Sequence, residues 1–530
     1  MDIVMKLKYI ICLIGATMIA TSCTNNFLEY NTNPDEVTNE VANWDNAKNG
    51  SFFLQMQENV IPIFEASDYQ VIEVMTGDGY AGYFGSPTPH INSAGRYSWS
   101  NNSNWPGAMF TRAYQDVMNP WRELKKAINN ENDPRYAVAQ ILKVATMHRV
   151  TDSYGPIPYL KFGIEKEVPY DTQKDVYYRF FEELDAAVKV LDSYATNGDK
   201  VFPDWDCVYQ GNTKSWVKFA NTLRFRLAMH ISDVDKDKAK AEILAAMEAP
   251  YGFVENKEDV PELQHIHPIA TYESPWYIIR GWGDIAMGAT IDSYMNGYED
   301  PRRSIYFDVT SDGKYCGIRA GLPANVNKKA YISENICLLS QPNVTATSNV
   351  VWMRAAEIFF LKAEAVLRWP ELETELGGTV QDFYENGIRK SFEELGASGA
   401  EAYLANEELK PARYVDPVTS SYSISPSSTV TIKWINTDNT TKKLERIITQ
   451  KYIALYPVGQ EAWTDFRRTG YPKVFPVIVN ESLGSCVSTS TQIRRLPYPR
   501  SEYDTNLKAV EEGVKLLGGP DNAGTRVWWD

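Results

Sequence analysis

Apolar residues recur at three- and four-residue steps along most of the chain, the spacing of helices that bury one face. Phe52, Phe53, Met56, Val60 and Ile61 fit one such face, and Pro62 ends it. The periodicity resumes over 109–129 and 136–150, the latter with Ala139, Leu142, Val144, Ala145 and Met147 near one side. It stops at TDSYGPIPY (151–159), where a glycine and two prolines break a helix. Helices are also predicted over 175–194 and 213–231; in the second, Trp216, Ala220, Leu223, Leu227 and Ile231 form the stripe, with Arg224 and Arg226 mostly off it. The alanine-rich stretch 351–368 (VWMRAAEIFFLKAEAVLR) is the clearest helix, ended by Pro370, and 381–395 and 444–455 follow. VTIKW (430–434) alternates as a short strand does. The fold class is therefore mainly α: TPR-like helix pairs packed with an irregular loop-rich region and a few short strands, without a clean 34-residue consensus.

Two regions break the periodicity. From 69 to 106 the chain holds Gly77-Asp78-Gly79-Tyr80, Gly82-Tyr83-Phe84-Gly85 and YSWSNNSNW (97–105). Glycine, asparagine and aromatics at that density predict a structured loop surface rather than a regular helix. The span 251–349, with Trp276, Trp282 and the turn Glu299-Asp300-Pro301-Arg302, reads the same way.

The N-terminus has a third pattern. Lys6 and Lys8 precede a short apolar stretch, YIICLIGATMIA (9–20), too short to span a bilayer as a helix. Ala20, Thr21 and Ser22 then lead into Cys23, the arrangement of a lipoprotein export signal cut before an acylated cysteine. Met5 is a more natural start than Met1. We expect a signal over 1–22, a lipidated Cys23 with a polar tether over 23–40, and one domain over 41–530. Lipidation makes a protein anchored to a membrane rather than spanning it.

Charge narrows the partners. The formal net charge is −15, and −16 without residues 1–22, which hold Asp2, Lys6 and Lys8. An acidic chain with no basic tract argues against nucleic acid and against electrostatic adhesion to anionic lipid. Beyond Cys12 and Cys23, four cysteines remain (Cys207, Cys316, Cys337, Cys486), with no C-x-x-C pair. Neither a disulfide scaffold nor a zinc ribbon fits; a Cys316–Cys337 bridge and four buried thiols both stay open.

Enzyme motifs are missing: no G-x-S-x-G, H-E-x-x-H, Walker loop or Rossmann fingerprint occurs, and Gly281-Trp282-Gly283 has the wrong following spacing. His265 and His267 lack a visible third metal ligand; His148 and His230 read as residues that cap or line helices. With 68 acidic residues, chance carboxylate pairs are guaranteed, so pairing is weak support for a glycosidase. Asp152 is expected to organise the turn after it, and Glu461, Asp465, Arg467 and Arg468 to form structural ion pairs. No catalytic residue, metal or cofactor is assigned.

Aromatics are the more telling excess, at 12% of the chain. Most belong in a core, but Trp and Tyr beside Asn and Gly are what a carbohydrate face needs: ring faces stack, and amides and carboxylates hold hydroxyls. The candidate ligand residues are Tyr80, Tyr83, Trp99, Asn101, Asn102, Trp105, Trp276 and Trp282. For each Trp a buried, loop-stapling role competes; Asn101 and Asn102 are equally turn formers.

Four motifs, in order behind the lipoprotein signal, resemble the SusD/RagB family of nutrient-binding outer-membrane lipoproteins, and more closely its SusD-like branch. TDSYGPIPY (151–159) resembles the family's "TDxYGxIPY" turn, with Pro156 where an acidic residue is commoner. KSWVKFANTLR (214–224) is similar to its "KWxKFANSLR" helix, EIFFLKAEA (357–365) to "EvxFxxAEA", and QEAWTDFRRTGYP (460–472) is the strongest match. The resemblance implies TPR-like helix pairs, a loop-rich half carrying the ligand face, and surface display as a lid-like partner of a SusC-like TonB-dependent transporter, usually for glycans. The shared motifs themselves read as structural. One departure is that TNNFLE after Cys23 carries only Glu29, not an acidic run. The expectation is a non-enzymatic glycan-capture lipoprotein of the outer membrane, facing the cell exterior. Peptide capture, a surface glycoside hydrolase and a protein-binding scaffold are its rivals.

Overall fold

The computed structural model describes residues 47–98, 104–165, 167–267 and 269–530. The expected leader, Cys23 and the tether to residue 40 lie outside them. The chain divides into two compact units, Met1–Ser51 and Phe52–Asp530. Of the first, only 47–51 are described, as the opening of the helix Ala47–Glu58.

The second unit is built on helices that follow one another in pairs. Helices α1 (Pro134–Tyr154) and α2 (Gln173–Asn197) form one pair, α3 (Thr213–His230) and α4 (Lys236–Glu248) the next. Then come α5 (Glu357–Arg368) with α6 (Val380–Leu395), and α7 (Thr440–Leu455) with α8 (Gly459–Thr469). Partners in a pair pack together; α2 also packs on α3, α3 on α5, and α5 on α7.

Local signals explain where these helices start. Asp133 caps α1 ahead of Pro134 by accepting from the Arg135 N–H at 2.8 Å, and Asn439 caps α7 from Lys442 at 2.9 Å. Thr379 and Asp382 form a reciprocal capping box on α6. Glycines with positive φ end α2, α6 and α8 at Gly198, Gly396 and Gly470. Nearly every residue of α1 and α3 is buried, so both are packed on all sides, which is why their apolar stripe is broad in the sequence.

Three expectations are corrected. The helix expected over 351–368 begins only at Glu357; Val350–Val351 is a strand paired antiparallel with Glu262–Leu263. VTIKW alternates as expected, with Val430, Ile432 and Trp434 buried, but has no partner strand. Side chains take its carbonyls instead: Tyr298 reaches that of Val430 at 2.9 Å, Tyr384 that of Ile432 and Arg446 that of Thr431.

The third correction concerns 69–106, which is not simply loop. Gln70–Asp78 is a π-helical segment, buried almost throughout, that packs on α8. Its glycine serves contact rather than a turn. A Cβ on Gly77 would lie 2.6 Å from the backbone of Gln460, and one on Gly459 2.4 Å from Cα of Asp78. Two backbones touch there because neither has a side chain in the way.

Among the described residues Cys207, Cys316, Cys337 and Cys486 are free thiols. Cys316 and Cys337 are out of register: the Cys316 carbonyl accepts from Ser340 at 2.8 Å, the Cys337 carbonyl from Ser311 at 2.9 Å. No described helix is long and apolar enough to cross a membrane.

Candidate ligand-binding face

Three of the four family-like motifs, 151–159, 357–365 and 460–472, meet inside the second unit on one network of buried charge, joined by Arg226 and His230 of α3, just past the fourth. Glu461 of α8 accepts from His230 of α3 at 3.0 Å and from Lys451 of α7 at 3.0 Å. Lys451 also meets Asp465 at 2.8 Å; Arg468 joins Asp465 at 2.7 Å and Glu364 of α5 at 2.6 Å. Arg226 of α3 closes on Glu357 at 2.5 Å. Asp152, in the last turn of α1, lies 3.4 Å from His230 and accepts from Trp529 Nε1 at 2.9 Å. Its side chain thus bridges helices and does not organise the following turn, which corrects that expectation. Arg467 forms no ion pair in this cluster. It donates to the Asp152 and Arg494 carbonyls at 2.5 and 2.9 Å and lies over the Trp463 ring at 3.6 Å.

Neighbouring charges set the protonation of this cluster. Burial disfavours charge on His230, but Glu461 and Asp152 outweigh it and raise the imidazolium to about 9. Burial likewise opposes ionisation of Glu364, yet Arg468 and Arg368 pull its carboxyl down to about 2. An Asp–His–Glu cluster has the residue types of acid–base chemistry. Here the three side chains are at most 2% exposed, so no substrate reaches them. The adjoining internal cavity is about 30 Å³, room for a water and little more.

The surface tells a different story. Among the described residues Phe64, Tyr277 and Trp282 are the aromatics left most open, at 84%, 43% and 45% exposure, and two of the three share the short helix Pro275–Trp282. Ser274 precedes it, Pro275 occupies its first turn, and Gly283 ends it in the left-handed conformation. Trp276 and Ile279, three residues apart, face inward; Trp276 meets Tyr69 edge-on at 5.2 Å and Phe84 at 4.5 Å between ring centroids. Tyr277 is left outward, and a Cβ on Gly281 would touch nothing within 4 Å.

Polar groups hold this helix to its neighbours. Arg280 pairs with Asp308 at 2.5 Å. Lys328 donates to the Trp282 carbonyl at 3.4 Å and to Asp284 at 3.1 Å, and Thr88 donates to the same carboxylate at 2.7 Å. The strand pair Phe84–Gly85 and Ala286–Met287 fastens this segment to the aromatic loop of the first glycine-rich region. The Trp282 backbone is thereby fixed while its ring stays open, the preorganisation that weak stacking sites need.

The expected ligand residues therefore separate. Trp282 lies on this face. Tyr80, Tyr83 and Trp276 are core residues, a correction to their expected surface role: Tyr83 is fully buried, stacked on Tyr452 at 4.6 Å and bonded to its carbonyl, and Tyr80 packs against Trp463 at 5.2 Å. Trp105 is half-buried in a short turn whose Gly107 abuts Pro499 and whose Pro106 carbonyl accepts from Tyr154. Trp99, Asn101 and Asn102 lie outside the described residues. Tyr277, Arg280, Asp308 and Lys328 escaped the sequence reading. Helical spacing across 275–282 was the available signal, since it separates Trp276 and Ile279 from Tyr277. No described group of His, Cys, Asp and Glu side chains forms a metal site.

A family model described as "SusD-like: Susd and RagB outer membrane lipoprotein" matches residues 29–530. A chitin-binding SusD homologue from Flavobacterium johnsoniae is 37% identical with a TM-score of 0.84, covering 91% of this chain and 98% of its own. A SusD homologue from Bacteroides thetaiotaomicron is 37% identical with a TM-score of 0.81, at 91% and 98% coverage. One from Bacteroides vulgatus is 33% identical with a TM-score of 0.83, at 92% and 98%. No curated protein matches the chain significantly.

Proposed function

The chain belongs to the SusD/RagB family of outer-membrane lipoproteins, and from that premise we propose that it captures glycans at the cell surface, without cleaving them, and passes them to a SusC-like TonB-dependent transporter. Lipid on Cys23 anchors it to the membrane. The observation that carries this reading is the pair of open aromatics, Tyr277 and Trp282, on one braced helix flanked by Arg280, Asp308 and Lys328. Flat rings stack sugar faces, and the charged groups beside them hold hydroxyls. Trp99, Asn101, Asn102 and Trp105 are the further candidates for the same role. Sealing of the Asp152–His230–Glu461 cluster supports binding rather than hydrolysis. A shallow site of this kind binds at roughly micromolar to millimolar strength, or about −8 to −4 kcal/mol.

The chitin-binding homologue makes chitin oligosaccharides the first ligand to try. Chain beginning after Cys23 would be run through affinity gels loaded with a polysaccharide panel. Retardation by one glycan, lost in Trp282→Ala, is expected. Release of reducing sugar would overturn the non-catalytic reading, and indifference to every polysaccharide would move the cargo toward peptide.

A further inference from the structure

A groove of about 520 Å³, which shares no lining residue with the helix Pro275–Trp282, lies between the helix Asn119–Ile128, α1, α2 and the segment 159–164. That volume is within the range of small-ligand sites, about 300–1,000 Å³. Five cationic side chains line it (Arg122, Lys125, Lys126, Lys143, Arg179) against three carboxylates, Glu131, Glu182 and Glu183. On a chain with 53 basic and 68 acidic residues, this reverses the overall balance.

Its aromatics are already occupied. Lys143 sits 4.0 Å from the Trp121 ring centre and 4.6 Å from that of Tyr159; Lys125 covers Trp121 and Tyr136 at 5.6 and 5.7 Å, and Arg122 covers Phe162 at 5.9 Å. The groove therefore presents cation heads to a ligand rather than bare ring faces. Lys143, buried on the floor, is held by Glu183 at 2.7 Å. Burial lowers its pKa against the pull of Glu183, and Lys125 and Arg179 add to the lowering, so three helices bring positive charge to one place. The carboxylates that Lys125 and Arg179 pair with are exposed ones, Glu131 at 3.0 Å and Glu182 at 3.3 Å. Exposed pairs of this kind are weak and exchangeable.

We propose that this groove is a second ligand site, one that takes a carboxylate-bearing oligosaccharide, with the acid group between Lys125 and Arg179 above Lys143. Asn129 and Asn130 at the rim supply amides for the neighbouring hydroxyls. The inference rests on the glycan-capture reading only in choosing a saccharide over another acid.

The probe is trigalacturonate, titrated calorimetrically into the chain beginning after Cys23, with maltotriose and triglutamate as neutral and peptide comparators. We expect trigalacturonate alone to bind, several-fold more weakly at 0.3 M than at 0.05 M salt. Lys125→Ala/Arg179→Ala should weaken it at least 10-fold and Lys125→Glu/Arg179→Glu abolish it, with unchanged circular dichroism, while Trp282→Ala leaves it intact. Absence of binding, equal binding of maltotriose, or indifference to both double variants would overturn the proposal; equal binding of triglutamate would give the groove to acidic peptide instead. Failure of the glycan-capture reading has a separate signature, the loss of all polysaccharide retardation.

Discussion

The charge network between α3, α5, α7 and α8 and the face of the helix Pro275–Trp282 use the same residue types to opposite ends. Inside, Arg226, Lys451 and Arg468 each meet carboxylates within 3.0 Å, and none of these side chains is more than 4% exposed. Outside, Arg280 and Asp308 pair across the surface with 30% and 38% of their side chains exposed, beside rings in contact with water. The inner arrangement determines how the helix pairs sit. The outer one is held by few contacts and can change without disturbing them. This explains why the motifs that identify the family say little about cargo: three of them supply the inner network, the fourth opens the helix that completes it, and none lies on the helix that bears Tyr277 and Trp282.

The sharpest break of this contrast is to remove one inner carboxylate. Glu364 neutralises Arg468 at 2.6 Å and Arg368 at 2.8 Å, and is itself fully buried. Glu364→Ala leaves the buried Arg468 only Asp465, which Lys451 already shares, so a loss of about 3–5 kcal/mol is expected from the shift of the urea midpoint. Glu371, whose exposed carboxylate pairs with Lys240, is the comparison. Removing that carboxylate should not move the midpoint, and equal effects at the two sites would erase the distinction.

The next effect is in pH. The folded pKa of His230, about 9, lies above the 6.5 of an unperturbed imidazole. Its contribution is therefore fully present below pH 6.5 and lost as pH rises through 9, with a ceiling of about 3 kcal/mol. Glu364 runs the other way: held at about 2 against an ordinary 4.5, it stabilises above pH 4.5 and ceases to as pH falls toward 2. Denaturant midpoints measured across pH should thus decline on both sides. His230→Gln should flatten the alkaline decline; an unaltered slope in that variant would count against the pairing with Glu461 and Asp152.

Smaller again is the cost of separating two backbones. Gly77→Ala places a methyl 2.6 Å from the Gln460 backbone, which cannot turn aside as a side chain does. An expected loss of about 1–3 kcal/mol follows from overpacking. Gly281→Ala, where a Cβ meets open space, should be neutral or slightly stabilising in the same melt.

Glycine is also where the sequence was hardest to read. Gly77 looks like a turn former until the helix it brings against α8 is known, and so a buried π-helical segment reads as loop. Helices were legible wherever apolar spacing and a cap agreed, as at Asp133–Pro134 and Thr379. Over 351–356 the apolar residues continue but belong to a strand and a turn, because Val350–Val351 pairs with Glu262–Leu263, Val351 lying opposite Glu262, 89 positions back. Such distant pairing leaves no local mark. The candidate face was half legible: aromatics in the loop regions pointed to Trp282, yet nothing local distinguishes it from Tyr83, whose burial depends on Tyr452, 369 positions away.

The smallest expected stability effect belongs to the outer face, and it is the one that tests what that face is for. Trp282 is 45% exposed, and its ring is not what holds the segment: Lys328 and Thr88 grip the Trp282 carbonyl and the Asp284 carboxylate instead. Trp282→Ala should change folding stability by no more than about 0.5 kcal/mol. Loss of one stacking plane should nonetheless weaken a retained glycan about 10-fold, or about 1.4 kcal/mol. Trp276→Ala supplies the converse, because that ring fills the interior against Tyr69 and Phe84; its cost should be about 3–5 kcal/mol in stability. Two tryptophans six residues apart on one helix would then differ in kind, one read by thermal melting and the other by affinity electrophoresis. If Trp282→Ala destabilises as much as Trp276→Ala, the face is a continuation of the core and the stacking surface must be sought elsewhere.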